Sequence, residues 1–232
     1  MSPRWPTSAP LVPVVGEEDG FPVRRIYCVG RNYVDHIREM REGDERDDPF
    51  FFQKPTDAIE PDGAAIPYPQ ATDDFQFEGE LVVAIGARHR DAEPDRSGEA
   101  IFGYAAGVDL TRRDRQKESL AQSRPWEPGK AFDHSAPCGP ITPRDRVTGI
   151  DDGELTVTVN GDVKQRTRFG LMIWSVPEIV SRLSRLYTLE PGDLIFTGTP
   201  AGVGALHPGD NLTVQITALP TLSITITEQE ES

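Results

Sequence analysis

The sequence predicts an α+β fold that is mainly β. Short runs rich in β-branched and aromatic residues recur along the chain and alternate with turns that contain Pro or Gly. The runs with strand character are 25–29, 50–53, 80–85, 104–109, 155–159, 193–197 and 212–216. Helical patterns are fewer, and many short strands with few helices are typical of a mixed α+β domain.

Two local signals support this assignment. Residues 155–159 alternate between apolar and polar side chains and lead into Asn160-Gly161, which predicts a β-hairpin. Ser175 and Glu178 have the spacing of a capping box, with Pro177 just inside the start of the helix. The apolar residues on one face of that predicted helix are Ile179, Val180, Leu183, Leu186 and Tyr187.

The length of 232 residues is enough for one well-buried core and predicts no second large domain. Residues 1–20 are rich in Pro and include an acidic run, so we expect a peripheral N-terminal arm followed by a single domain over 21–232. Within that domain, residues of about 34–48 are highly charged and have few apolar side chains to anchor them. Low local stability of this kind is typical of a lid.

Composition excludes several classes of partner. The chain is 37% hydrophobic and 27% charged, as in ordinary globular domains, and its net charge of −14 argues against nucleic-acid or anionic-membrane binding. No signal peptide or 18-residue apolar run is evident, so we expect a cytoplasmic protein. Cys28 and Cys138 do not make a disulfide framework, and we expect Cys28 to be a small buried hydrophobe.

Three acidic residues on apolar segments predict a metal site. Glu78 and Glu80 precede the apolar run 81–85, and Asp109 follows Glu80 by 29 residues at the end of another apolar run. Residues two apart in a strand project to the same side, and buried carboxylates need a cation. Oxygen ligands alone suit Mg²⁺, Mn²⁺ or Ca²⁺ rather than Zn²⁺. The alternative is that these are exposed acids at strand ends.

Six segments, taken together in this order, resemble the fumarylacetoacetate hydrolase family. They are residues 27–40, 50–55, 77–81, 107–114, 130–137 and 197–204, and the resemblance extends from about residue 24 to about residue 210. The Phe-Phe-Phe run at 50–52 and the Lys-Ala-Phe-Asp-His-Ser-Ala-Pro run at 130–137 are most similar to the fumarylpyruvate hydrolase (acylpyruvase) branch.

The resemblance implies a fold, an activity and a cofactor. The fold is a rolled, mixed β-sheet around a central metal site, and the acidic trio would hold Mg²⁺, with Mn²⁺ or Ca²⁺ as alternatives. The implied enzyme is a hydrolase that splits the carbon–carbon bond of an acylpyruvate, most simply fumarylpyruvate, and it is implied to work as a homodimer on a small 2-keto acid. Decarboxylation of oxaloacetate, or isomerisation or hydration of a related keto acid, is the main alternative. A non-catalytic protein with a structural Ca²⁺ would leave the remaining family residues unexplained.

The resemblance also assigns catalytic roles. His36 and Glu39 are three apart and share a face if this segment is helical, so Glu39 could orient the imidazole and raise its basicity. In the family the matching pair activates the attacking water from a mobile lid. The lysine that matches Lys130 lies beside the metal, where a cation stabilises developing oxyanion charge.

Substrate-binding residues are expected on two further segments. Thr111 can cap a helix from 112 to about 123, on which Arg113 and Gln116 would point the same way. Resemblance favours both as groups that orient the substrate. It also indicates Thr199, whose hydroxyl could bind a carboxylate, and Lys54.

Two positions depart from the family pattern. Gln76 stands near the place where the family commonly has a histidine, and Gly79 replaces the usual aliphatic residue between the two glutamates. Neither change removes a carboxylate, but either could alter the support of the metal ligands. A substrate with a distal carboxylate also needs a partner for it, and we expect Arg38, Arg41 or His134 to be that partner. The alternative is that both arginines only offset the acidic neighbours Glu42, Asp44 and Glu45.

Overall fold

The computed structural model describes residues 9–35 and 48–229. Its strands are β1 (Leu11–Val12), β2 (Phe21–Pro22), β3 (Arg25–Gly30), β4 (Phe50–Lys54), β5 (Ile59–Glu60), β6 (Ala65–Pro67), β7 (Phe75–Phe77), β8 (Gly79–Ile85), β9 (Ile101–Val108), β10 (Thr111–Arg112), β11 (Ala136–Pro137), β12 (Thr142–Pro143), β13 (Glu154–Val159), β14 (Asp162–Arg168), β15 (Asp193–Phe196), β16 (Gly204–Ala205), β17 (Asn211–Ile216) and β18 (Leu222–Thr227). The α-helices in the described residues are α1 (Pro94–Ser97), α2 (Arg113–Ala121), α3 (Glu127–Lys130) and α4 (Val176–Leu186). Short 3₁₀ turns cover Thr56–Ala58, Gly98–Ala100, Arg144–Arg146, Ile150–Asp152 and Phe169–Leu171. The fold is mainly β, as predicted.

A six-stranded mixed sheet forms the centre of the molecule. Its strand order is β12-β9-β8-β15-β3-β4, with β15 and β3 parallel and the other neighbours antiparallel. Every residue of β8 is buried, because both faces of this strand are covered. This explains why residues 81–85 are all apolar and do not alternate between apolar and polar side chains.

A five-stranded sheet packs on one face of the central sheet. Its order is β14-β13-β17-β18-β6, and its inward side chains alternate with exposed ones. Leu155 and Val157 of β13 join the same apolar core as Leu81 and Val83 of β8. The predicted hairpin is confirmed: β13 and β14 pair across Asn160-Gly161, whose positive φ angles of 52° and 86° suit the twist of a two-residue turn.

The helix predictions have different outcomes. Helix α4 begins at Val176, and the Ser175–Glu178 capping box is present, as predicted. The prediction that Thr111 caps a helix is wrong. The helix begins at Arg113, and Thr111 lies in β10, where its hydroxyl donates to the carbonyl of Asp109 at 3.2 Å. The hydroxyl of Thr111 is therefore not available to cap the helix, because it is bonded to Asp109.

The described part of the N-terminal arm packs on the main body. Val12 and Val14 are buried, and the N–H of Val15 donates to the carbonyl of Ile141 at 2.9 Å. The division of the chain near residue 20 stays a prediction. Both cysteines are buried, as expected for Cys28. In the described ranges we find no helix with the length and apolarity needed to cross a membrane.

Candidate metal centre

Strands β8 and β9 bring three carboxylates together. Glu78 lies between β7 and β8, Glu80 is the second residue of β8, and Asp109 directly follows β9. The two strands pair antiparallel, and the N–H of Asp109 donates to the carbonyl of Glu78 at 2.8 Å. One ligand atom from each side chain lies within 4.8 Å of the others, and all three residues are buried. The predicted convergence of the three carboxylates is therefore confirmed. The alternative, that these acids are exposed at strand ends, is excluded.

Lys130 joins two of these carboxylates. Its Nζ donates to Glu78 Oε2 at 2.8 Å, to Asp109 Oδ2 at 2.7 Å and to the hydroxyl of Thr111 at 2.8 Å. Burial lowers the pKa of Lys130, but the negative charges of Asp109 and Glu78 outweigh burial and raise that pKa above its ordinary value. The ammonium group is therefore held charged inside the protein.

Lys54 reaches the centre from the edge strand β4. Its Nζ donates to the carbonyl of Leu110 at 3.1 Å and also to the carbonyl of Lys130. It forms an ion pair with Asp109 Oδ1 at 2.9 Å, although the geometry there is not that of a hydrogen bond. Asp109 Oδ1 thus stays a buried anionic oxygen without a hydrogen-bond donor.

Arg113 holds the opposite side of the centre. It pairs with Glu78 through one terminal nitrogen, and its other terminal nitrogen donates to Gln116 Oε1 at 2.6 Å. Its Nε donates to Gln76 Oε1 at 2.9 Å, and Gln76 Nε2 in turn donates to Asp74 Oδ1 at 2.7 Å. Arg113 and Gln116 therefore face the centre together, as expected. Gln76 supports the centre indirectly, because it binds Arg113 and Arg113 pairs with Glu78.

Glu80 is held from the other side by the turn that follows β15. The N–H of Gly198 donates to Glu80 Oε2 at 2.7 Å, and the hydroxyl of Thr199 donates to the carbonyl of Gly79 at 2.9 Å. Burial raises the pKa of Glu80 well above its usual range, and the charges on Asp109 and Glu78 raise it further. A cation placed among the three carboxylates would remove this mutual repulsion.

Gln165 of β14 is a supporting residue that sequence reasoning missed. It is buried, and its Nε2 donates to Thr199 Oγ1 at 2.9 Å and to the carbonyl of Pro200 at 2.8 Å. Its Oε1 accepts from the N–H of Gly79 at 2.9 Å. One side chain of the second sheet therefore ties the backbone between the two glutamates to the turn that binds Glu80.

The packing of the second sheet explains why a glycine stands at position 79. A Cβ atom at this position would lie 2.3 Å from Val157 Cγ2 and 3.3 Å from Gln165 Oε1. An aliphatic residue would therefore collide with β13 as it is packed here. Glycine allows the second sheet to come close to the metal-binding segment.

The donor set fits a hard divalent cation. Glu78, Glu80 and Asp109 offer only carboxylate oxygens, and Asp109 Oδ1 lacks a hydrogen-bond donor. His36 and Glu39, predicted as the catalytic pair, lie outside the described residues. The structure thus brings together the three predicted metal ligands with Lys54, Lys130, Arg113, Gln116 and Thr199.

A rolled, mainly β fold with a buried carboxylate trio defines a class of metal-binding protein, and sequence comparison defines the family. The model of the family described as "Fumarylacetoacetate (FAA) hydrolase C-terminal" matches residues 25–227. The chain belongs to the fumarylacetoacetate hydrolase family.

Known members of the family are similar over most of the chain. A fumarylpyruvate hydrolase from Ralstonia sp. is 40% identical over 177 residues, which cover 76% of this chain and 92% of that protein. The mitochondrial oxaloacetate tautomerase FAHD1 of Homo sapiens is 36% identical over 207 residues, which cover 89% and 93%. Among solved structures, fumarylpyruvate hydrolase from Pseudomonas aeruginosa in complex with Mn²⁺ and pyruvate has a TM-score of 0.95 at 44% identity, covering 97% of this chain and 98% of that one.

Proposed function

We propose that the protein is a metal-dependent hydrolase that cleaves the carbon–carbon bond of an acylpyruvate, with fumarylpyruvate as the main candidate. The observation that carries the proposal is the burial of three carboxylates within 4.8 Å of one another, beside Lys130, Arg113 and Gln116. Similarity to fumarylpyruvate hydrolases at 40% and 44% identity supports this choice of substrate. Mg²⁺ is the proposed metal, with Mn²⁺ as the alternative.

The charges of the site suit an anionic substrate. With a metal bound, Glu78, Glu80 and Asp109 would carry three negative charges, and Lys54, Lys130 and Arg113 would carry three positive ones, so these six residues would balance. The net charge of this buried group of residues together with a divalent ion would then be +2. The keto acid end of an acylpyruvate brings negative charge to that place, which is why a chain of net charge −14 can still bind it.

The metal, when bound, would polarise substrate oxygens and fix the keto acid end in place. Arg113 donates to Gln116 Oε1, which leaves the amide NH₂ of Gln116 as a donor for the substrate. Lys130 is the charged donor that bridges Glu78 and Asp109. Both groups can stabilise the negative charge that develops on substrate oxygens as the bond breaks.

We assign the activation of water to His36, oriented by Glu39. The imidazole would take a proton from water while the hydroxyl adds to the carbonyl carbon that is distal to the carboxylate. The bonding electron pair of the carbon–carbon bond then leaves with the pyruvate fragment, which takes up a proton at its methylene carbon. The products are pyruvate and the acid of the acyl group. Thr199 and Lys54 would support the place of the keto acid end, Thr199 through the carbonyl of Gly79 and Lys54 through Asp109.

Decarboxylation or tautomerisation of oxaloacetate is the second candidate. A mitochondrial oxaloacetate decarboxylase of Dictyostelium discoideum is 38% identical over 200 residues, and the human tautomerase is 36% identical. These reactions use the same kind of keto acid but need no activated water. We also propose a homodimer and a cytoplasmic location, both of which rest on sequence reasoning, and analytical ultracentrifugation measures the first directly.

A substrate panel with metal removal tests the proposal. The purified protein is assayed with fumarylpyruvate, acetylpyruvate, fumarylacetoacetate and oxaloacetate after EDTA treatment, and again after addition of Mg²⁺ or Mn²⁺. We expect metal-dependent release of pyruvate from the acylpyruvates, and loss of metal binding and of activity in Glu80→Gln. Glu99→Gln is the control, because the side chain of Glu99 is 66% exposed, and it should keep both. Activity on oxaloacetate alone would reject the hydrolase in favour of the second candidate.

A further inference from the structure

A cavity of about 590 Å³ with several aromatic side chains in its lining opens along β4. Among the described residues, β4 is the last strand of the central sheet, so the cavity lies at a sheet edge. The side chains that define it are those of Arg31, Phe50, Phe52, Trp126, Glu127 and Tyr187.

Two residues in the lining of the cavity, Phe52 and Trp126, also contact Lys130 of the metal centre. Phe50, Phe52 and Lys54 alternate along β4 and so share a face, with Lys54 at the centre and Phe50 farthest from it. Lys130 Nζ lies 5.3 Å from the centroid of the Phe52 ring. Trp126 precedes α3, and its carbonyl accepts from the N–H of Lys130 at 3.0 Å. A substrate held at Lys130 would therefore extend its far end between these rings.

Phe50, Phe52 and Trp126 give the cavity flat aromatic surfaces. The ring of Trp126 meets Phe50 edge-on at a centroid distance of 4.9 Å and lies 6.0 Å from Phe52. Aromatic rings in such contacts form a rigid surface, because they have few rotatable bonds. A slot of this kind suits a planar, conjugated acyl chain better than a branched one.

Arg31 places a positive charge at the far end of these walls. Its guanidinium carbon lies 5.5 Å from the centroid of Phe50, and its backbone has a φ of 60°, which is uncommon for a residue with a side chain. Gly30 permits this arrangement, since a Cβ atom there would lie 2.1 Å from Phe50 Cζ. Glu127, which also lines the cavity, is exposed to solvent. A partly buried guanidinium stays charged and binds carboxylates in a fork-like geometry.

We propose that this cavity binds the acyl chain of the substrate and that Arg31 binds a carboxylate at the end of that chain. The preferred substrate class is then a dianionic acylpyruvate with a planar, unsaturated acyl group. The inference rests on the proposed function and narrows it, because a second carboxylate can enter an aromatic slot only if it finds a cationic partner. Arg31 is thus a specificity-determining residue.

The structure disfavours His134, one of the residues expected to bind that carboxylate. Its Nδ1 lies 2.5 Å from Glu60 Oε1, and it lines a separate recess of about 220 Å³ together with Tyr68 and Arg112. Arg38 and Arg41, the other expected partners, lie outside the described residues. Arg38 and Arg41 are therefore tested beside Arg31 as alternative partners of the distal carboxylate.

The experiment compares two substrates that differ at the far end of the acyl chain. kcat/KM is measured for fumarylpyruvate, which has a distal carboxylate, and for acetylpyruvate, which has none. The proteins are the wild type, Arg31→Leu, Arg31→Lys and the control Arg124→Leu, which removes an exposed positive charge two residues from Trp126. We expect Arg31→Leu to lower the ratio of fumarylpyruvate to acetylpyruvate at least about tenfold, and Arg124→Leu to change it less than about threefold. Arg31→Lys should retain part of the preference.

Several outcomes would overturn the inference. One is an equal loss for both substrates in Arg31→Leu, which would make Arg31 a structural or chemical residue. Another is an unchanged ratio in Arg31→Leu together with a fall in Arg38→Leu or Arg41→Leu. If Arg31→Leu does not fold, as judged by thermal melting and Mg²⁺ calorimetry, Arg31→Gln takes its place with the same criterion.

A binding measurement separates this inference from the proposed function. Fumarate carries the distal carboxylate without the scissile bond, and its dissociation constant is measured by calorimetry with Mg²⁺-loaded protein. Weaker binding of fumarate to Arg31→Leu than to wild type supports the cavity assignment even if no acylpyruvate is hydrolysed. Conversely, hydrolysis of acetylpyruvate by a wild type that does not prefer fumarylpyruvate keeps the proposed function and rejects the role of Arg31.

Discussion

Lys130 and Asp109 form a buried ion pair, with 2.7 Å between Nζ and Oδ2 and side chains that are 3% and 1% exposed. The same ammonium group also neutralises Glu78 at 2.8 Å. Lys130 therefore does part of what a bound metal would do, because it lowers the repulsion among the carboxylates. Removing one partner of such a pair leaves an uncompensated buried charge, which is costly.

We predict that Lys130→Met makes the protein more dependent on metal for its stability. The metal-free variant should melt well below the wild type, and Mg²⁺ should raise its melting temperature more than it raises that of the wild type. Activity should fall about 10²–10³-fold, as for the loss of an oxyanion donor. Lys117→Met, on an exposed helix face, is the control. A variant that no longer binds Mg²⁺ would instead show that Lys130 organises the ligands.

Gln165→Leu should weaken metal binding from outside the ligand set. The change removes donors from Thr199 Oγ1 and the carbonyl of Pro200, and it leaves the N–H of Gly79 buried without an acceptor. We expect Mg²⁺ affinity to fall about 10–100-fold, as for the loss of groups that support metal ligands. Unfolding free energy should fall by about 1–3 kcal/mol.

Calorimetry with Mg²⁺ and chemical denaturation measure the two effects of Gln165→Leu. Gln122→Leu is the matched control, because Gln122 is exposed at the end of α2. Loss of stability with unchanged Mg²⁺ affinity would mean that Gln165 only joins the two sheets and does not position Glu78 and Glu80.

His36→Ala should separate hydrolysis from decarboxylation. Removal of a general base lowers hydrolysis about 10²–10⁴-fold, whereas loss of CO₂ from oxaloacetate needs no activated water and should fall much less. Both rates are measured on the same preparation with Mg²⁺. If both fall equally, His36 acts in binding or closure of the site rather than as the base. Glu39→Gln should reproduce a smaller part of the loss.

The shared position of the two glutamates could be predicted from the sequence because its signal is local. Glu78 and Glu80 are two residues apart beside an apolar run, and period two in a strand places them on one side. The capping box of α4 is equally local, and it is present. In both cases the interaction that decides the structure lies within a few residues.

Long-range contacts explain what sequence reasoning missed. Gln165 binds Gly79 across 86 positions, and nothing around it in the exposed-looking strand 162–168 indicates a buried role. Thr111 has the right position for a cap, yet its hydroxyl binds Asp109 and Lys130 instead. Both side chains are directed by partners that only the folded sheets bring near them.

Gly79 offers a direct test of how the two sheets support the centre. Gly79→Ala would place a Cβ 2.3 Å from Val157 Cγ2, and overpacking of this kind costs about 1–3 kcal/mol of unfolding free energy. The strain should also displace Glu78 and Glu80, so Mg²⁺ affinity should fall. Val157→Ala removes the colliding methyl group and leaves a small cavity of its own.

The double variant Gly79→Ala with Val157→Ala decides between collision and other causes. If the collision is responsible, the double variant should be more stable than the sum of the single effects predicts, by at least about 1 kcal/mol, and should regain most of the lost Mg²⁺ affinity. Denaturant titration and calorimetry supply both numbers. Strictly additive effects would show that β13 does not press on the metal-binding segment. In that case no change at Val157 could restore the site.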